Sequence, residues 1–106
     1  MGLLRLFDND QVVNAAAALV TNMLTGNTLV LVNMNAATGE QTVRLPAANY
    51  FPGEVCAVVV NGAVAVHMVV IQDGAGGAVD AFNALTNGSR MYTWSGTAWI
   101  RMRSDF

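Results

Sequence analysis

The stretch Val55-Cys56-Ala57-Val58-Val59-Val60-Asn61-Gly62-Ala63-Val64-Ala65-Val66-His67-Met68-Val69-Val70-Ile71 decides the fold. It sets two apolar, largely β-branched runs on either side of Asn61-Gly62. Both central residues of a type I′ turn need positive φ, which Asn and Gly tolerate, so the pattern predicts a central β-hairpin with arms over residues 55–60 and 63–71. Neither arm alternates cleanly between apolar and polar residues. Both faces of the hairpin are therefore predicted to be covered, one by the chain's own core and the other by a partner.

The composition explains why a partner is needed. A chain of 106 residues builds one domain with one core. It is 54% hydrophobic and only 11% charged, against about 25% charged for an average soluble domain. Its mean hydropathy is +0.42. That leaves too little polar surface for a solitary globule and predicts an obligate homo-oligomer, or a protein that coats a larger surface. The formal net charge of −2 and pI of about 4.9 come from scattered charges. No basic stripe is available to neutralise a phosphate backbone, so nucleic acid is not an expected partner. Lysine is absent, which excludes a Walker-type phosphate lysine, a Schiff base and a Ser-Lys dyad within the chain. The single cysteine, Cys56, has no intrachain partner and behaves as a small hydrophobe in the apolar arm, as suits folding in a reducing cytoplasm.

Outward from the central stretch the sequence reads as all-β, a single small sandwich- or barrel-like domain over residues 11–106 preceded by an extended N-terminal arm, residues 1–10. Residues 1–7 are apolar but too short for a signal sequence or for a membrane span of about 20 residues. They form either a first strand of the domain's own sheet or an arm that grips a neighbour through Leu3, Leu4, Leu6 and Phe7. Residues 11–24, with the alanine run Ala15-Ala16-Ala17-Ala18, are read as a strand through about Ala17 and then a short helical turn at residues 21–24, with a full helix as the alternative. Strands are expected over 28–32, 41–45 and 78–85, with turn signals about every ten residues, and a loop over 46–53. No internal repeat or linker is evident.

Little in the chain suggests chemistry. His67 is the only histidine, with no second imidazole or thiol at metal-ligand spacing, and reads as a core or interface residue; an oligomer axis could gather its copies to bind a metal or sense pH. Asp73 and Asp80 could be imagined as a glycosidase carboxylate pair, yet aspartates in these contexts more often cap turns. Gly74-Ala75-Gly76-Gly77 lacks the following helix that a phosphate cradle requires. The expectation is no enzyme, no cofactor and no metal. The most specific local pattern is a C-terminal hairpin in which Tyr92 and Trp94 share a face and Trp94 stands opposite Trp99 across the loop Ser95-Gly96-Thr97-Ala98, with Arg101 and Arg103 on the Trp99 face. Oligomer contacts are expected at Val64, Val66, His67, Val69 and Ile71.

Read in series, Leu24-Thr25-Gly26-Asn27-Thr28, Thr42-Val43-Arg44-Leu45-Pro46-Ala47-Ala48, Pro52-Gly53, Val60-Asn61-Gly62, Asn87-Gly88-Ser89 and Trp94-Ser95-Gly96-Thr97-Ala98-Trp99 resemble a β-module recurrent in virion proteins of tailed bacteriophages. The likeness covers residues 12–103. The resemblance implies a homotrimer and a place in head fibres, tail fibres or capsid decoration (cement) proteins. The chain has only the module, without a collagen-like or coiled-coil shaft or a long β-helix, which favours a decoration protein. The expected setting is then a capsid surface, assembled in the host bacterial cytoplasm, with the major capsid protein as partner and no membrane. Two alternatives stand beside this one: a fibre component that binds host glycan through Tyr92, Trp94 and Trp99, and a small enzyme whose site forms between subunits around His67 with Asp73 or Asp80.

Overall fold

The computed structural model describes residues 7, 9–46, 52–62, 66–82 and 87–102. They form nine strands and no helix: β1 (Asn9–Asn14), β2 (Leu19–Asn22), β3 (Thr28–Asn33), β4 (Gln41–Arg44), β5 (Val55–Asn61), β6 (Val69–Gln72), β7 (Ala78–Phe82), β8 (Gly88–Trp94) and β9 (Trp99–Arg101). The all-β expectation holds, but the strand expected through about Ala17 ends at Asn14, and in place of the short helical turn at residues 21–24 the chain runs through β2 to Asn22 and then leaves regular structure. The full helix weighed for this region is likewise absent among the described residues.

The strands make two mixed sheets, one of five strands in the order β1-β3-β5-β8-β9 and one of four in the order β2-β4-β6-β7. Odd and even strands of the first half alternate between sheets, so β1, β3 and β5 stack in parallel register, as do β2, β4 and β6. Three successive coils of chain thus lie on top of one another. Antiparallel additions end the stack: β7 against β6, β8 against β5, and β9 against β8. The central hairpin predicted from Asn61-Gly62 does not form. β5 pairs with β3 and β8, while β6 belongs to the other sheet. Gly62 does take the positive φ (+70°) that the dipeptide signals, but it carries the chain from one sheet to the other. A corner and a hairpin turn make the same local demand on the backbone. Residues 63–65 of the expected second arm lie outside the described residues.

The coils also expose a repeat hidden by their unequal lengths. Val12-Val13-Asn14, Leu31-Val32-Asn33 and Val59-Val60-Asn61 stand in register, so three asparagines stack at the ends of β1, β3 and β5. The backbone ladder continues beyond them, with Ala15 N–H donating to Asn33 O (2.9 Å) and Met34 N–H to Asn61 O (2.8 Å). The alanine run is a corner rather than a helix because it must fit under the next coil. A Cβ on Gly39 would come within 2.8 Å of Ala18 N. The buried Gln41 amide donates to the carbonyls of Ala16 (3.2 Å), Ala17 (3.1 Å) and Gly39 (3.0 Å), which binds the two corners together.

One core lies between the sheets. The five-stranded sheet contributes Val13, Val30, Val32, Cys56, Val58, Val60, Tyr92 and Trp99; the four-stranded sheet contributes Val43, Val69, Ile71 and Phe82. β-Branched residues dominate because each coil presents a pleated surface to the sheet opposite, where they pack well. Deleting one buried methyl pair from such a wall, as in Val58→Ala, costs about 1–3 kcal/mol in transfer and cavity terms together.

Gly62 and Gly53 share a left-handed φ, at +70° and +93°, but differ in space. A Cβ on Gly62 would meet the Asn35 side chain, whereas one on Gly53 would meet nothing within 4 Å. Gly53→Ala is expected to lower unfolding stability by about 1 kcal/mol through backbone strain alone, and Gly62→Ala by about 2–3 kcal/mol. Urea midpoints of the two variants measure the difference.

Candidate functional site

Two features stand out once the strand register is known: an apolar sheet face with nothing from the described residues packed over it as a second layer, and a cleft at the end of the stack where β7 meets β9. The face follows from alternation. In the five-stranded sheet the residues that point away from the core include Val12, Leu29, Leu31, Val59, Met91 and Ile100. Val12 is 65% exposed and Ile100 51%, and the other four are half-buried on a flat sheet. The outer face of the four-stranded sheet is different, with Asn22, Thr42, Arg44 and Gln72 beside Val20 and Val70. There the Arg44 Nε–H donates to Gln72 Oε1 at 3.1 Å. The five-stranded side is apolar across its middle, with Asn14, Asn33, Asn61, Ser89 and Thr93 around it, and the four-stranded side is the more polar of the two.

The predicted contact residues divide accordingly. Val69 and Ile71, expected at a subunit contact, are buried in the chain's own core, where β6 turns them inward toward the five-stranded sheet. Val66 is 75% exposed and His67 half-buried, just before β6. Leu3, Leu4, Leu6 and Val64 lie outside the described residues. Phe7 is half-buried, and Asn9 and Asp10, assigned to the arm, already belong to β1. The sequence did carry a signal for the apolar outer face. Leu29-Val30-Leu31-Val32 is apolar at consecutive positions, which puts apolar side chains on both faces of β3.

At the other end, Asp80 points inward between the sheets and is no turn cap. Its Oδ2 accepts from the Tyr92 hydroxyl at 2.9 Å, and its Oδ1 pairs with Arg90 at 3.1 Å and Arg101 at 3.4 Å. Arg90 also lies over the Phe82 ring, 4.4 Å from its centroid, and donates to Ala81 O. This cluster ties β7 of one sheet to β8 and β9 of the other. Asp73, by contrast, is a turn cap: its Oδ1 accepts from the N–H groups of Ala75 (2.9 Å) and Gly77 (2.8 Å).

The C-terminal hairpin forms in the predicted register, with Trp94 opposite Trp99, ring centroids 5.5 Å apart and planes tilted by 54°. The three aromatics do not make one open surface. Tyr92 is fully buried on Asp80, and Trp99 is 6% exposed with its indole N–H on Pro46 O at 3.0 Å. Trp94 is half-buried and packs against the core. Both indoles line a cleft of about 640 Å³ between the β8–β9 hairpin and the turn after β6, with Asp73, Ala75, Ala78 and Val79 opposite them and Arg101 at the rim. Arg103 lies outside the described residues. His67, just before β6, is not among the residues that line this cleft. Among the described residues no group of three or more His, Cys, Asp or Glu side chains could hold a metal ion. Among the described residues no helix is long and apolar enough to cross a membrane.

Cys56 sits in the wall of the core, its thiol 3.8 Å from Gly26 O. Burial pushes its pKa up from 9.0 to about 12, with the Glu54 charge adding to the rise and the Thr28 backbone hydrogen bond opposing it. Burial, followed by the hydrogen bond to Asp80, likewise raises the Tyr92 pKa above its usual 10.0. Comparison with models of known protein families finds no match, and comparison with curated proteins finds no significant one.

Asp80→Asn is expected to cost about 2–3 kcal/mol, since it removes the one negative charge that faces Arg90 and Arg101 between the sheets while keeping shape, and Tyr92→Phe about 1 kcal/mol; chemical denaturation measures both. The unfolded chain releases the Cys56 and Tyr92 protons from about pH 9–10 upward, whereas the folded chain holds them. Their contribution is therefore complete below pH 9 and is lost as pH rises toward 12. The denaturation midpoint should fall over that window, and Cys56→Ala should remove part of the slope.

Proposed function

We propose that the chain is a structural protein of a bacteriophage virion, a capsid decoration protein that assembles as a homotrimer and binds the outer surface of the major capsid shell, stabilising it. The observation that carries this reading is the one-sided surface: an apolar outer face on the five-stranded sheet and a polar one on the four-stranded sheet. A protein that lies on a shell needs one dry side and one wet side. The trimer and the viral setting rest on the likeness of the turn motifs and of the Trp94–Trp99 hairpin to phage virion modules.

Magnitudes support an assembled state that uses more than the sheet. Five strands about 4.8 Å apart and roughly 20 Å long present a footprint of about 500 Å², below the roughly 800 Å² per partner of a standard stable interface. The apolar residues Leu3, Leu4, Leu6 and Phe7 are the proposed remainder. Each such side chain, fully buried, contributes about 1.5–3 kcal/mol before ordering costs. Adding contacts between shell subunits stabilises the shell by mass action and requires no chemistry.

The paired variant Val12→Asp with Leu31→Asp puts two charges on adjacent strands of the apolar face. It is expected to fold, to lose self-association by light scattering, and to lose binding to shells of the cognate major capsid protein. Val20→Asp, on the polar side, is the control and should retain both. A wild-type monomer of 11.2 kDa at micromolar concentration that also ignores the shells would overturn the proposal.

A further inference from the structure

We propose that the cleft between the turn after β6 and the β8–β9 hairpin binds a neutral carbohydrate, with Trp94 as the platform for a sugar ring and Asp73 Oδ2 as acceptor for its hydroxyl groups. The site adjoins the apolar sheet face at Ile100 but is otherwise built from other residues, and neither proposal depends on the other. Its volume, about 640 Å³, falls inside the range of small-ligand clefts, about 300–1,000 Å³.

The two indoles have distinct duties. Trp99 is structural, buried to 6% exposure and held by Pro46 O. Trp94, tilted 54° against it, is braced by that contact and by the core yet keeps part of its ring accessible in the cleft. A large aromatic ring fixed at a cleft wall offers apolar contact at little entropic cost, because it is already ordered. The C–H face of a pyranose matches such a wall.

Asp73 supplies the polar half of the site. Its Oδ1 is committed to the turn through Ala75 and Gly77, which fixes the carboxylate plane and leaves Oδ2 without a hydrogen-bonding partner among the described residues. A preorganised carboxylate across a cleft from an indole suits a ligand with hydroxyl donors on its edge and C–H groups on its face. The charge balance argues for a neutral ligand. Asp73 stands on one wall and Arg101 at the rim, and Arg101 is itself paired with Asp80 at 3.4 Å. An anion would face Asp73 and a cation would face Arg101, so neither gains a net field.

The test titrates the full chain with methyl glucoside, methyl galactoside and N-acetylglucosamine, and with a proline-rich peptide as the rival ligand for an aromatic wall. Saturation-transfer NMR and tryptophan fluorescence read the binding. At least one of the three saccharides should bind with a Kd below about 50 mM, and Trp94→Ala should weaken it about tenfold or more. Asp73→Asn keeps a carbonyl for the turn but replaces Oδ2 with a donor, and should weaken binding about fivefold at unchanged thermal stability. Ala98→Trp fills the cleft from the hairpin loop and should abolish binding; with Asp73→Asn it decides the matter if Trp94→Ala does not fold. No saccharide binding at that concentration, binding of the peptide alone, or binding indifferent to the Asp73 and Ala98 variants would each overturn the proposal.

Discussion

The in-register stacking of β1, β3 and β5, and of β2, β4 and β6, is the constraint on which the structure depends. A parallel pair cannot be joined by a tight turn, so the chain must leave the sheet and return. Here it returns by way of the opposite sheet, and each excursion adds one strand to both. The core is built coil by coil from matching positions, and every corner must lie flat on the next. This is why Gly39 sits against Ala18, why Gln41 binds two corners at once, and why the three asparagines line up.

The same constraint shapes the surface. A coil contributes strands to two sheets but can bury only the faces that look at each other. The middle of the outward face of the five-stranded sheet stays apolar, with Val12, Leu31 and Val59 in one row bordered by the asparagine row Asn14, Asn33 and Asn61, while the outward residues of the four-stranded sheet include Arg44 and Gln72. Parallel strands have no intrinsic reason to differ in this way, so the asymmetry is a property of the sequence that asks for a function. At the far end antiparallel strands end both stacks, and the Asp80, Arg90, Arg101 and Tyr92 cluster ties the sheets together there. Ionic ties between the sheets are less forgiving of rearrangement than apolar contact, because an unpaired charge left between them is costly.

What the sequence discloses and what it conceals divide along the range of the interactions. The β8–β9 hairpin was legible to the residue pair, because its loop joins strands adjacent in the chain and the indoles oppose each other across it. Most strand positions were legible from β-branched runs and turn residues. The central hairpin was not. Asn61-Gly62 reports a local need for positive φ, and that need says nothing of whether the next strand returns alongside or crosses to another sheet. The coil repeat was hidden because Asn14, Asn33 and Asn61 are separated by unequal lengths of chain, which defeats any search for a fixed period. The alanine run suggested helix by propensity, and close packing of corners overrode it. Asp80 looked like any aspartate near a turn; only the bulge between Ile71 and Gln72 in the β6–β7 pairing and the register of β8 and β9 bring it to two arginines and a tyrosine.

The claim that the apolar side of the five-stranded sheet is the contact surface can be examined most directly by hydroxyl-radical footprinting of the protein free at high dilution and bound to shells of its cognate capsid protein. The account predicts that Val12, Leu31 and Met91 become protected on assembly, while Val20 and Val70 on the opposite side label equally in both states. Unchanged labelling of Val12, Leu31 and Met91 with protection of Val20 and Val70 would contradict it.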